Sequence, residues 1–97
     1  MMIVHIVIFK FKDEDKEKNI KKAKEMLMAL ESKIDKLLSM EVGVNFDTAE
    51  RAFDLSIYSK FQTKEDLALY ATDPEHLQVV TFIKEVTKES KVVDYIL

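Results

Sequence analysis

The sequence predicts an α+β fold: one four-stranded antiparallel sheet with helices on a single face. Three observations lead there. Four stretches are rich in β-branched or aromatic residues: Ile3–Phe11, Met40–Phe46, Phe53–Phe61 and Val92–Leu97. Between the first two, apolar residues recur every three and four positions, as on one face of a helix. The only proline, Pro74, follows Asp73 inside a second helical region and divides it in two. The order is therefore β-α-β-β-α(α)-β, the split β-α-β or ferredoxin-like pattern.

Each element has its own reasons. In the first strand, alternation puts His5, Val7, Phe9 and Phe11 on one face and Val4, Ile6 and Ile8 on the other. Both faces are apolar, so this strand expects cover on both sides. The acids of Asp13-Glu14-Asp15 suit a helix N-terminus. From about Asp15 to Leu38, Ile20, Ala23, Leu27, Leu30, Ile34 and Leu37 form one stripe of a long helix. In the second strand Met40, Val42, Val44 and Phe46 share a face, and Gly43 marks either a bulge or a close backbone approach. A polar loop at 47–51 leads into the third strand. There Phe53, Leu55, Ile57 and Phe61 face inward, and Asp54, Ser56, Tyr58 and Lys60 face the other way.

Thr63-Lys64-Glu65-Asp66 resembles a capping box, with a short helix after it. Asp73 is then a good N-cap, because its carboxylate accepts from free backbone N–H groups. Pro74 suits the next position, where its missing donor costs nothing. The third helix is expected to run to about Lys88, with His76, Val79, Val80, Ile83 and Val86 on its inner stripe. The closing strand puts Asp94 on one face with Val92 and Ile96.

Size and composition restrict the function. The 97 residues suffice for one domain, 1–97, with a thin core. Fifteen basic and eighteen acidic residues leave a net charge of −3, with no excess to hold a nucleic-acid backbone. There is no cysteine, which excludes disulfides, thiolate metal sites and thiol catalysis. The apolar N-terminal run has neither a basic flank nor a cleavage site, and no stretch approaches the roughly 20 apolar residues of a membrane span. A cytoplasmic protein is expected.

Helices cover only one sheet face. The other carries Val4, Ile6, Ile8, Tyr58, Val93 and Tyr95, too apolar to leave in water. The simplest cover is a second copy, so a homodimer through the sheet face is expected. The candidate chemistry lies on the helix side. His5, Tyr70 and His76 each have a bland reading: a core histidine, a core aromatic, a first-turn histidine. Together they offer more. A neutral imidazole at a helix N-terminus beside a phenol can serve as a base and a polarising donor. Val7, Phe9, Leu27, Ile57 and Val80 are the expected apolar walls of a pocket, with Asp94 either orienting a histidine or lying on the surface. No histidine spacing fits a metal site, and one glycine cannot make a phosphate loop, so neither metal nor cofactor is expected.

The chain resembles the stress-responsive dimeric α/β-barrel (Dabb) family. The resemblance rests on Val4-His5-Ile6-Val7-Ile8-Phe9-Lys10-Phe11-Lys12, on Glu41-Val42-Gly43-Val44-Asn45 and on Val92-Val93-Asp94-Tyr95. It rests also on Tyr70-(x)2-Asp73-Pro74-Glu75-His76, which is similar to the family's Tyr-x-x-His-Pro-x-His signature. The resemblance implies a ferredoxin-like subunit and a homodimer whose sheets close a barrel. Plant polyketide cyclases of this family perform cofactor-free aldol-type condensation. By that resemblance His76 removes a proton next to a carbonyl, Tyr70 polarises the carbonyl and His5 shapes the pocket. One departure is Asp73, where the family usually has a histidine. Two other expectations stand beside this one: a non-catalytic stress-associated oligomer, and a cofactor-free monooxygenase of a related barrel type.

Overall fold

The computed structural model describes residues 1–97. Its strands are β1 (Ile3–Phe11), β2 (Ser39–Val44), β3 (Leu55–Phe61) and β4 (Thr87–Ile96). Its helices are α1 (Lys16–Ala29), α2 (Lys64–Thr72) and α3 (Pro74–Val86). The strands form one antiparallel sheet in the order β2-β3-β1-β4. This is the ferredoxin-like arrangement. β1 holds the greatest density of Val, Ile and Phe and lies inside the sheet. β4 is an edge and carries Lys88, Glu89 and Lys91, charges that suit an unpaired side.

Side-chain parity decides what each face does. Ile3, Phe11, Met40, Val42, Leu55, Ile57 and Phe61 are buried beneath the helices with Ala23, Leu27, Leu30, Val79 and Ile83. On the opposite face, register aligns Lys60, Val4 and Tyr95 in one row and Tyr58, Ile6 and Val93 in the next. Val4 is fully buried between its long neighbours, whereas Val93 is 58% exposed. No helix of this chain lies over that face.

Several boundaries differ from the sequence expectation. The first helix stops at Ala29, followed by a 3₁₀ turn at Leu30–Ser32. A helix reaching Leu38 would be about 36 Å long, while the nine residues of β1 span roughly 30 Å. The chain turns back in time to start β2, and the Glu31 carboxylate accepts from the Met40 N–H at 2.7 Å. Ile34 and Leu37 are still buried, but from the returning segment. The acidic start also works differently. Asp15 adopts a left-handed backbone (φ 50°) with no side-chain cap, a conformation Asp tolerates.

β2 ends at Val44, which is exposed, and Phe46 lies beyond it at 97% exposure rather than on the inner face. Gly43 makes no bulge, since the β2–β3 register is unbroken. It marks a close approach, because a Cβ there would meet Ser56 Oγ at 3.2 Å. The register shift lies instead at Lys10/Phe11. Phe53 and Asp54 precede β3. The Asp54 carboxylate accepts from the Phe11 N–H at 2.7 Å and pairs with Lys16 at 3.3 Å, so it pins the end of β1 instead of facing the open side.

The third helix ends at Val86, and β4 starts at Thr87, five residues earlier than the pattern suggested. Three groups close the helix end. Thr87 Oγ1 donates to the Ile83 carbonyl at 2.7 Å, the Lys12 N–H to Val86 at 2.8 Å and Lys12 Nζ to Glu85 at 2.9 Å. Pairing with β1 then draws the polar segment 87–91 into the sheet, where propensity alone reads helix or loop.

Candidate functional site

The break at Asp73-Pro74 builds one wall of the site. Asp73 Oδ1 accepts from the Glu75 N–H at 2.8 Å, and Pro74 opens α3. Thr63 Oγ1 likewise accepts from the Asp66 N–H at 3.1 Å and starts α2. These caps put Tyr70 in the last turn of α2 and His76 in the first turn of α3. Their rings stack, with centroids 4.1 Å apart and planes tilted by 36°. Phe61 of β3 backs Tyr70 at 5.0 Å, and the His5 ring meets Phe61 edge-on at 6.4 Å. His5, Tyr70 and His76 thus belong to one aromatic cluster.

The hydrogen bonds assign both imidazoles. A carbonyl can only accept, so His76 Nδ1–H donates to Ala71 at 3.1 Å. Nε2 of His76 is left with its lone pair. His5 lies directly opposite Asp94 in the β1–β4 ladder, and its Nδ1 is hydrogen-bonded to the Asp94 carboxylate. Nε2 of His5 makes no hydrogen bond within the chain. Ser59, wholly buried on β3, donates to the His5 backbone carbonyl at 3.1 Å and fixes the strand beneath the ring.

Burial pushes the His76 imidazole below the usual histidine range. Its bond to the Ala71 carbonyl opposes this, nearby His5 adds to it, and Asp73 opposes it. Burial pushes the Tyr70 phenol well above its ordinary value. At neutral pH, then, His76 is an uncharged acceptor and Tyr70 a protonated donor. Tyr70 is among the residues lining the cavity described next; no buried side-chain N or O atom in the fold lacks a partner.

His5, Tyr70 and His76 line one end of a cavity of about 200 Å³ between the sheet and the helices. Val7 and Phe9 of β1, Ile57 of β3, Leu27 of α1 and Val80 of α3 are among its walls. Asp94 is not. Its side chain is 46% exposed and stands behind His5. Val79 and Ile83 also line the cavity, as do Lys84, Thr87 and Ser90 at the far end. These last three escaped the sequence reading. Lys84 lies off the inner stripe expected for the third helix, and Thr87 and Ser90 lie outside the expected last strand. The bend from α3 into β4 brings Thr87 and Ser90 in beside Lys84 of the last helical turn. No three His, Asp or Glu side chains converge as a metal ligand set would need. No helix is long and apolar enough to cross a membrane.

A ferredoxin-like subunit with one bare sheet face and a histidine-lined cavity under its helices defines the class. The chain belongs to the stress responsive A/B barrel domain family, whose model matches residues 3–97. Two Arabidopsis thaliana relatives are stress-response A/B barrel domain-containing proteins. The first is 35% identical over 80 residues, 81% of this chain and 30% of that protein. The second is 27% identical over 100 residues, 98% of this chain and 47% of that protein. The chain therefore spans less than half of each. A dimeric ferredoxin-like protein of unknown function from Bacteroides fragilis is 35% identical. It superposes with a TM-score of 0.89, over 97% of this chain and 94% of that one. Hydroxynitrile lyase from Passiflora edulis matches at 20% identity and a TM-score of 0.87, over 99% of this chain and 93% of that one, a likeness of fold alone.

Proposed function

We propose that this chain forms a homodimer through its bare sheet face and binds a small, largely apolar carbonyl or phenolic compound under its helices. There it catalyses cofactor-free proton transfer, with aldol-type ring closure where the ligand carries a second carbonyl. The observation that carries the reading is the stacked Tyr70–His76 pair, 4.1 Å apart at the end of an apolar cavity. In this reaction His76 Nε2 takes a proton from the carbon next to the ligand carbonyl. The C–H electron pair moves into the enolate, and the Tyr70 hydroxyl donates a hydrogen bond to its oxygen. The enolate carbon then attacks a second carbonyl carbon of the same molecule, or is reprotonated. The new alkoxide takes the proton back from His76, so none is consumed. His5, held by Asp94, presents Nε2 beside the same space.

Two of the comparisons support parts of this reading. The Bacteroides fragilis protein is dimeric, and the hydroxynitrile lyase is an enzyme built on the same fold. The test is α-proton exchange of acetophenone in D₂O, followed by NMR. Wild type should exchange the methyl protons faster than buffer, and His76→Ala should not. Exchange at the buffer rate with wild type, and no resonance shifts at cavity residues, would overturn the proposal.

A further inference from the structure

The cavity under the helices has two unlike ends. At one stand His5, Tyr70 and His76; at the other stand Lys84, Thr87 and Ser90. His76 and Lys84 lie on the same helix, eight residues and so about 12 Å apart along its axis. The walls between them are apolar. No aspartate or glutamate lines the cavity, which makes the Lys84 ammonium its one permanent charge.

Lys84 is also free to act. It joins none of the ion pairs of the fold. A lysine in a final helical turn can serve the helix's own carbonyls. Here that work is done by others: Thr87 holds the Ile83 carbonyl, and Lys12 holds Glu85 with its side chain and Val86 with its backbone. Ser90 offers a hydroxyl donor nearby. The Thr87 hydroxyl proton is already given to Ile83, so a ligand there meets an ammonium and one free O–H.

We infer that the natural ligand is an elongated carboxylic acid, its carboxylate held by Lys84 and Ser90 and its carbonyl or phenolic oxygen lying at Tyr70 and His76. The inference rests on the reading of the cavity as a ligand site. It adds the class of ligand and its direction. An apolar middle, aryl or alkyl, fits between two polar ends. Lys84 selects the acid and sets which end of the molecule reaches the imidazole.

The test compares para-acetylbenzoate with its neutral counterpart para-acetylbenzamide, by calorimetry on wild type and Lys84→Met at low salt. Wild type should bind the acid at least about fivefold more tightly, as one well-placed charge pair predicts, and the margin should shrink as salt is added. In Lys84→Met the acid should fall to the affinity of the amide, while the amide is unchanged. Lys84 is exposed and caps nothing, so the variant should fold; its thermal midpoint checks that. Equal binding of acid and amide by wild type would overturn the inference and leave the cavity reading intact. So would an equal loss of both in Lys84→Met. Binding of neither by wild type would overturn both.

Discussion

Tyr70 and His76, six residues apart across a helix break, stack with their rings 4.1 Å apart at the end of an apolar cavity. The phenol stays protonated because burial raises its pKa, and the imidazole stays neutral because burial lowers its own. A donor and an acceptor therefore line one cavity at neutral pH. Tyr70→Phe should keep the fold and the stack. It should slow α-proton exchange of acetophenone by roughly a hundredfold, the usual loss when one oxyanion donor is removed.

The lowered pKa of His76 has a sign that stability measurements can read. The unfolded chain protonates this residue near pH 6.5, the folded chain at lower pH. Below about pH 6.5 the unfolded state holds more protons, so His76 reduces stability as pH falls. Its contribution is constant above that value. Urea denaturation at pH 7.5 and pH 5 should show a smaller loss on acidification in His76→Gln than in wild type. An equal loss in both would show that His76 is not depressed.

Asp94 touches the site only through His5. Removing it should free the His5 ring to exchange tautomers, visible in the imidazole nitrogen shifts of Asp94→Ala. The pair is partly exposed, so the stability loss should stay within about 1 kcal/mol. Asp94→Asn, whose amide oxygen can still accept from Nδ1–H, should restore the tautomer.

Ser59 carries the one buried polar side chain of the core and donates to the His5 carbonyl. Ser59→Ala should cost about 1 kcal/mol, the usual worth of one hydrogen bond. Urea denaturation would measure it.

The bare sheet face predicts the effect of a charge at its centre. Ile6 lies between Tyr58 and Val93 in the register. Ile6→Lys should convert the proposed dimer to a monomer in light scattering, while circular dichroism stays unchanged. A dimer that persists would place the contact elsewhere.

Much of this protein was legible in the residues themselves. Period two in Ile3–Phe11 and Leu55–Phe61 assigned the sheet faces, because side chains of a strand alternate whatever lies around them. Asp73-Pro74 marked the start of α3, because capping is a local matter of one carboxylate and two or three N–H groups. The spacing of Tyr70 and His76 followed from that break. Tertiary structure decided the rest. His5 and Asp94 are 89 residues apart, and only the β1–β4 register brings them opposite one another. The end of α1 at Ala29 was set by the length of the strands it must recross, although the apolar stripe runs on to Leu37. Thr87 and Ser90 reached the cavity because pairing with β1 overrode the weak strand propensity of a polar segment, and they stand there beside Lys84 of the last turn of α3. Periodicity and capping act within a few residues and can be read along the chain. Register and crossover length join distant residues, and they exist only once the sheet has closed.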